Sequence, residues 1–197
     1  MKRYVSIDVE TTGRNPQKHN ILEIGAVIDD LYTPIDKLAR FHCYVERDYY
    51  VGDPQALAMN SNILKRIADK PGGYKYLRPF EVADSFRIFL NNNGYKAEDR
   101  IFCAGKNFAG FDDQFLKIDI PRWLDVIRVH RRCLDVGTLY FDPKIHDIPP
   151  NMEQCMKIAG LPGEVKHTAV EDALIVVKLI RCYYVDFEEL SLSNYKV

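Results

Sequence analysis

The segment from about Thr168 to Tyr184 carries Val170, Ala173, Leu174, Ile175, Val176, Val177, Leu179 and Ile180, so a helix there is apolar nearly all round. Such a helix has no face to offer water and must be a buried element. Its polar N-terminal end, with Glu171 and Asp172, is the exception. What surrounds it is legible upstream. Alternation in Tyr4-Val5-Ser6-Ile7-Asp8-Val9 predicts a strand that ends at the turn residues Thr11 to Pro16, and Ile21 to Asp29 and Phe41 to Val45 predict two more in an opening antiparallel meander. Pro54 to Ile67 and Pro79 to Leu90 begin with proline as helices do, and Asn91-Asn92-Asn93-Gly94 stops the second. Ile101 to Ala104 predicts a fourth strand leading into a helix over Phe108 to Ile118, and Arg131 to Val136 a fifth. A meander followed by strand-helix alternation is an α/β domain with a mixed central sheet. One domain over 1–190 and a loose tail over 191–197 are expected.

Composition removes several function classes. With 27 Lys+Arg against 28 Asp+Glu, the formal charge of -1 gives no whole-molecule attraction to nucleic acid or an anionic membrane, so any basic groove must be local. The cysteines at 43, 103, 133, 155 and 182 are odd in number, scattered and without a C-x-x-C pair, which argues against a disulfide framework or structural zinc and fits a reducing, cytoplasmic location. The first apolar stretch is cut at Asp8, too soon for a signal-peptide core, and no run approaches the roughly 20 apolar residues of a membrane span.

Three segments hold carboxylates where they need a reason. Asp8 and Glu10 are two apart on a strand and project from one face. An acidic pair at a strand end is ordinarily solvated, but this one follows a strand expected in mid-sheet, where neighbouring carboxylates repel unless a cation or proton lies between them. On a helix, Asp112 shares a face with Phe108, Phe115 and Leu116 and points inward, whereas Asp113 points outward. Asp172 lies in the first turns of the buried helix and His167 just before it, after residues at 163–166 that read as a loop; a histidine there titrates near neutrality and suits proton transfer, or merely caps the helix.

Taken together and in order, Asp8-x-Glu10-Thr11-Thr12-Gly13, Phe111-Asp112-x-x-Phe115-Leu116 and His167-x-Ala169-x-x-Asp172-Ala173 resemble the three motifs of the DEDDh family of 3′-to-5′ exonucleases, which includes polymerase proofreading subunits and oligoribonuclease. Glu23-Ile24-Gly25-Ala26-Val27 is similar to that family's second strand. The resemblance implies a ribonuclease H-like α/β fold with a mixed five-stranded sheet flanked by helices. It implies hydrolysis of single-stranded DNA or RNA from a free 3′ end to nucleoside 5′-monophosphates. Asp8, Glu10, Asp112 and Asp172 would be ligands of two Mg²⁺ or Mn²⁺ ions, for which hard carboxylate oxygens are suited, and His167 the base that takes a proton from water. Glu10, Thr11, Thr12, Asn107 and His167 would contact the terminal nucleotide.

Phe108 or Phe111 is a candidate for base stacking, and Arg128, His130, Arg131 and Arg132, or Lys106 and Lys166, for guiding phosphates. Asn107, five residues before Asp112, resembles oligoribonuclease, whereas Phe111 resembles the proofreading pattern, so DNA and RNA both stay open. A homodimer and a polymerase partner are likewise both open. The rival reading is a catalytically silent nucleic-acid-binding or polymerase-associated module of the same fold, which has little reason to keep four acids and a histidine together.

Overall fold

The computed structural model describes residues 3–162 and 168–184. Six strands, β1 (Tyr4–Thr11), β2 (Ile21–Asp29), β3 (Arg40–Val45), β4 (Tyr76–Leu77), β5 (Ile101–Gly105) and β6 (Val129–Asp135), form one sheet in the order β4-β3-β2-β1-β5-β6. β1, β2 and β3 are the antiparallel meander, while β5 runs parallel to β1, β6 to β5 and β4 to β3. The expected mixed α/β sheet is therefore present with six strands, not five. β4 has two residues, too few to show any period in sequence.

The helices are α1 (Pro54–Met59), α2 (Ser61–Asp69), α3 (Pro79–Asn92), α4 (Asp112–Asp119), α5 (Trp123–Val126), α6 (Val136–Leu139), α7 (Met152–Ile158) and α8 (Ala169–Tyr184). Two differ from expectation for local reasons. The single helix over Pro54 to Ile67 is broken at Asn60, which closes α1 and opens α2 while its side-chain amide donates to the Thr11 carbonyl at 2.9 Å. α4 starts at Asp112 because Asn107 adopts a left-handed φ of 61° and its carbonyl accepts from both Gly110 and Phe111 N–H, winding 107–111 into a turn.

The pleat sorts β1 cleanly. Val5, Ile7 and Val9 join Ile24, Ala26, Phe41, Phe86, Phe115 and Trp123 in the core under α3, α4 and α5. Ser6, Asp8 and Glu10 therefore face the opposite side, which α8 covers. There Val27 and Ala104 pack with Ala173, Val176, Val177 and Ile180, so the all-apolar helix lies against the middle of the sheet. Its first turn is pressed onto β2: a Cβ on Gly25 would lie 2.2 Å from the backbone of Ala169 and Val170, which only glycine permits. No helix among the described residues is long and apolar enough to cross a membrane. The expected tail over 191–197 lies outside the described residues.

Candidate active site

Three chain segments bring their acids to one edge of the sheet. β1 supplies Asp8 and Glu10 on its α8-facing side. The residue between them, Val9, donates its N–H to Asp112 Oδ1 at 3.0 Å, which ties the start of α4 to β1. Asp172, in the first turn of α8, is carried in by the close contact over Gly25. Carboxylate oxygens of Asp8, Glu10 and Asp172 lie within 4.8 Å of one another. Asp112 and Asp172 are buried, at 3% and 6% exposure.

Burial pushes the Asp8 carboxyl well above the usual carboxylate range, and the charges of Asp112, Glu10, Asp172 and Glu23 add to it. Glu10 is raised to about 7 by burial and then by Asp172 and Glu23, with a hydrogen bond from Asn60 opposing. Asp112 is raised to about 8 by burial, against the favourable Val9 N–H, with Glu10 and Asp113 adding repulsion. Without a cation the cluster favours its protonated forms, which a divalent ion would compete against. The donor set is all oxygen, charged and convergent, which fits Mg²⁺ or Mn²⁺ and not thiophilic metals.

Beside Glu10 opens a pocket of about 190 Å³, walled by Thr11, Gly13, Arg14, Met59, Asn60 and Phe111. Gly13 is needed for close approach, since a Cβ there would meet His19 Nδ1 at 2.0 Å and Asp53 Oδ2 at 2.6 Å. Thr11 lines the pocket while its hydroxyl donates to the Gly13 carbonyl at 2.7 Å.

Other expected residues fall elsewhere. Thr12 is fully buried; its hydroxyl donates to the Val51 carbonyl and accepts the Asn20 N–H at 2.8 Å, and its backbone bonds Asn20 and Asp53, so it holds the loop together. Asn107 is exposed, its N–H bonded to the Asp135 carboxylate, and it is not among the residues lining the pocket. Phe108 is core at 1% exposure, whereas Phe111 reaches the pocket. Asp113 is buried at 7%, not outward, because the helix begins at Asp112 and the Lys117 ammonium folds over its carboxylate. Arg128 and the basic residues 130–132 sit at the start of β6; its parallel register puts them at the end of the sheet away from Asp8. His167 and Lys166 lie outside the described residues.

Asn60 and Glu23 are the members that sequence reasoning missed. Each had a signal: Asn60 interrupts a helical run, and Glu23 is the one charge between Ile21 and Ile28.

A family model described as an exonuclease, RNase T, matches residues 5–180. Among curated proteins, the 3′-5′ DNA exonuclease Cap18 of Escherichia coli is 25% identical over 138 residues, covering 70% of this chain and 67% of that one. Among solved structures, the nuclease domain of 3'hExo, a DEDDh family member bound to rAMP, aligns with a TM-score of 0.65 at 13% identity over 91% of this chain and 90% of its own. E. coli exonuclease I in complex with a dT13 oligonucleotide aligns with a TM-score of 0.63 at 17% identity over 97% of this chain. This chain spans only 43% of exonuclease I. S. pombe Pop2p in its Mg²⁺- and Mn²⁺-bound form gives a TM-score of 0.65 at 13% identity, covering 98% of this chain and 86% of that one. At these identities the structural likenesses establish the ribonuclease H-like fold.

Proposed function

The chain belongs to the RNase T family of exonucleases, and on that premise we propose that it is a 3′-to-5′ exonuclease, dependent on two Mg²⁺ or Mn²⁺ ions, that shortens single-stranded DNA or RNA to nucleoside 5′-monophosphates. The observation that carries this is the convergence of the Asp8, Glu10 and Asp172 oxygens within 4.8 Å, with Asp112 bonded to the same strand. Asp8, Glu10, Asp112 and Asp172 would hold the ions. Bound there, they would supply an acidified water and neutralise charge on the scissile phosphate.

The protein's own residues do the rest. Glu10 and Thr11 meet the terminal sugar at the mouth of the pocket, with Met59 and Phe111 against its base and Asn107 and His167 as further contacts to the end of the strand. A terminal nucleotide seated there would be flanked by Met59, Asn60 and Phe111, which makes a free 3′ end the expected handle. His167 takes the proton of the attacking water, a role that its place in the sequence five residues before Asp172 suits. The 3′-5′ polarity of the curated relative and the oligonucleotide- and metal-bound states of the structural relatives support this reading.

End-labelled single strands incubated with Mg²⁺ test it. Mononucleotides should leave successively from the 3′ end, with none from strands blocked at that end or in chelator, and Asp8→Ala should be inert. Cutting of circular strands, or binding without shortening in any divalent metal, would reject the proposal.

A further inference from the structure

Glu23 is an acid that the four-carboxylate account leaves unused. It occupies β2 directly opposite Glu10, a pairing that puts the two Cβ atoms about 4.5–5.5 Å apart on the same face. It is 1% exposed. One of its oxygens, Oε1, accepts from His42 Nε2 at 2.6 Å. The other, Oε2, is buried and has no hydrogen-bond partner among the described residues. The imidazole that holds it is itself fixed, edge-on to Tyr44 at 4.8 Å and to Tyr74 at 5.9 Å, and the Tyr44 hydroxyl accepts from Arg66 Nη1 at 3.0 Å.

A buried acid kept for packing alone would have all its acceptors used, since an orphaned carboxylate oxygen carries the full cost of desolvation. A leucine or methionine in that position would spare the cost. Glu23 instead adds a further acid beside the converging carboxylates, and its charge is felt at both Asp8 and Glu10. The arrangement has the form of an outer carboxylate around a metal site, where a second acid orients a ligand or accepts from water on the ion.

We propose that Glu23, held in place by His42, is a fifth carboxylate serving the divalent-cation site, a positioning residue that strengthens cation binding through Glu10 and the ions' water. His42 is the positioning residue behind it. The inference rests on the reading of Asp8, Glu10, Asp112 and Asp172 as a divalent-cation site.

The test is Mn²⁺ titration of the full chain followed by electron paramagnetic resonance, alongside thermal melts and exonuclease rates at rising Mn²⁺. Glu23→Gln keeps the shape and removes the charge, and should weaken Mn²⁺ binding on the order of tenfold. Its melt in chelator should hold or rise, its turnover should recover as Mn²⁺ rises, and its KM for oligonucleotide should stay put. His42→Phe should weaken Mn²⁺ binding about threefold and His42→Gln, which keeps a donor, should restore it. Wild-type Mn²⁺ affinity in Glu23→Gln overturns the inference whatever happens to turnover. Should that variant fail to fold, equal Mn²⁺ affinity in His42→Phe and wild type overturns it instead. A wild-type protein that binds Mn²⁺ but degrades no strand would sink the exonuclease proposal and leave this inference standing.

Discussion

The two ends of α8 bury acids in opposite ways. At its C-terminal end Asp29, 0% exposed, is fully matched: Arg181 Nε donates to it at 3.2 and 3.3 Å, a guanidinium nitrogen donates as well, and the Tyr4 hydroxyl gives 2.6 Å. Arg181 continues to the Thr33 carbonyl at 2.6 Å. At its N-terminal end Asp172 joins Asp8 and Glu10, three carboxylates whose oxygens lie within 4.8 Å of one another. The same helix and the same sheet thus carry one buried acid matched by an arginine and one cluster of converging acids. The first is how a fold tolerates buried charge. The second, under our proposal, is where an ion from outside would be held.

The comparison breaks if the two ends respond alike to mutation. The largest expected effect is at the cluster: Asp8→Ala or Asp172→Ala should lower hydrolysis by about a thousandfold or more, since charge stabilisation at the reacting phosphate is lost. The melting temperature of Asp8→Ala in chelator should hold or rise, because an acid that burial and neighbouring carboxylates disfavour has been removed. At the other end Arg181→Met should leave Asp29 buried and unmatched, costing about 3–5 kcal/mol in a urea melt. Equal destabilisation at both ends would mean that the cluster, too, is a structural device.

A pH series sharpens the contrast. Folding raises the carboxyls of Asp8, Glu10 and Asp112, so in the metal-free protein their protonated forms are the favoured ones. The stability they contribute is fully present below the unfolded values near 4, and is lost as pH rises through about 7 for Glu10 and about 8 for Asp112. Melting temperature in chelator should therefore fall from about pH 5 to about pH 9, and saturating Mg²⁺ should raise it most at the alkaline end. A metal-free melt that rises across that window would contradict the protonated cluster. The smallest expected effect is Asn60→Ala, which removes its bonds to the Thr11 carbonyl and to Glu10 and should cost about 1 kcal/mol of stability in a urea melt.

Much of the site was legible because its chemistry is concentrated in short stretches. Asp8 and Glu10 are fixed on one face by strand alternation, and Asp172 by its place at the polar start of an otherwise apolar helix. Asp113 was misread because its direction depends on where α4 begins, and that is set by the left-handed backbone at Asn107, which residue type alone does not announce. β4 was missed because a two-residue strand has no period. Thr12 shows the reverse limit: a motif residue whose hydroxyl is consumed by Asn20 and by the sequence-distant Val51. Glu23 was visible as a lone charge in an apolar strand, but its meaning required the register that sets it opposite Glu10.

The most direct measurement is an anomalous difference map from a crystal soaked in Mn²⁺. The account predicts density bounded by the carboxylates of Asp8, Glu10, Asp112 and Asp172, with none beside the Asp29 and Arg181 pair. Saturating Mn²⁺ with no peak at that quartet would contradict it.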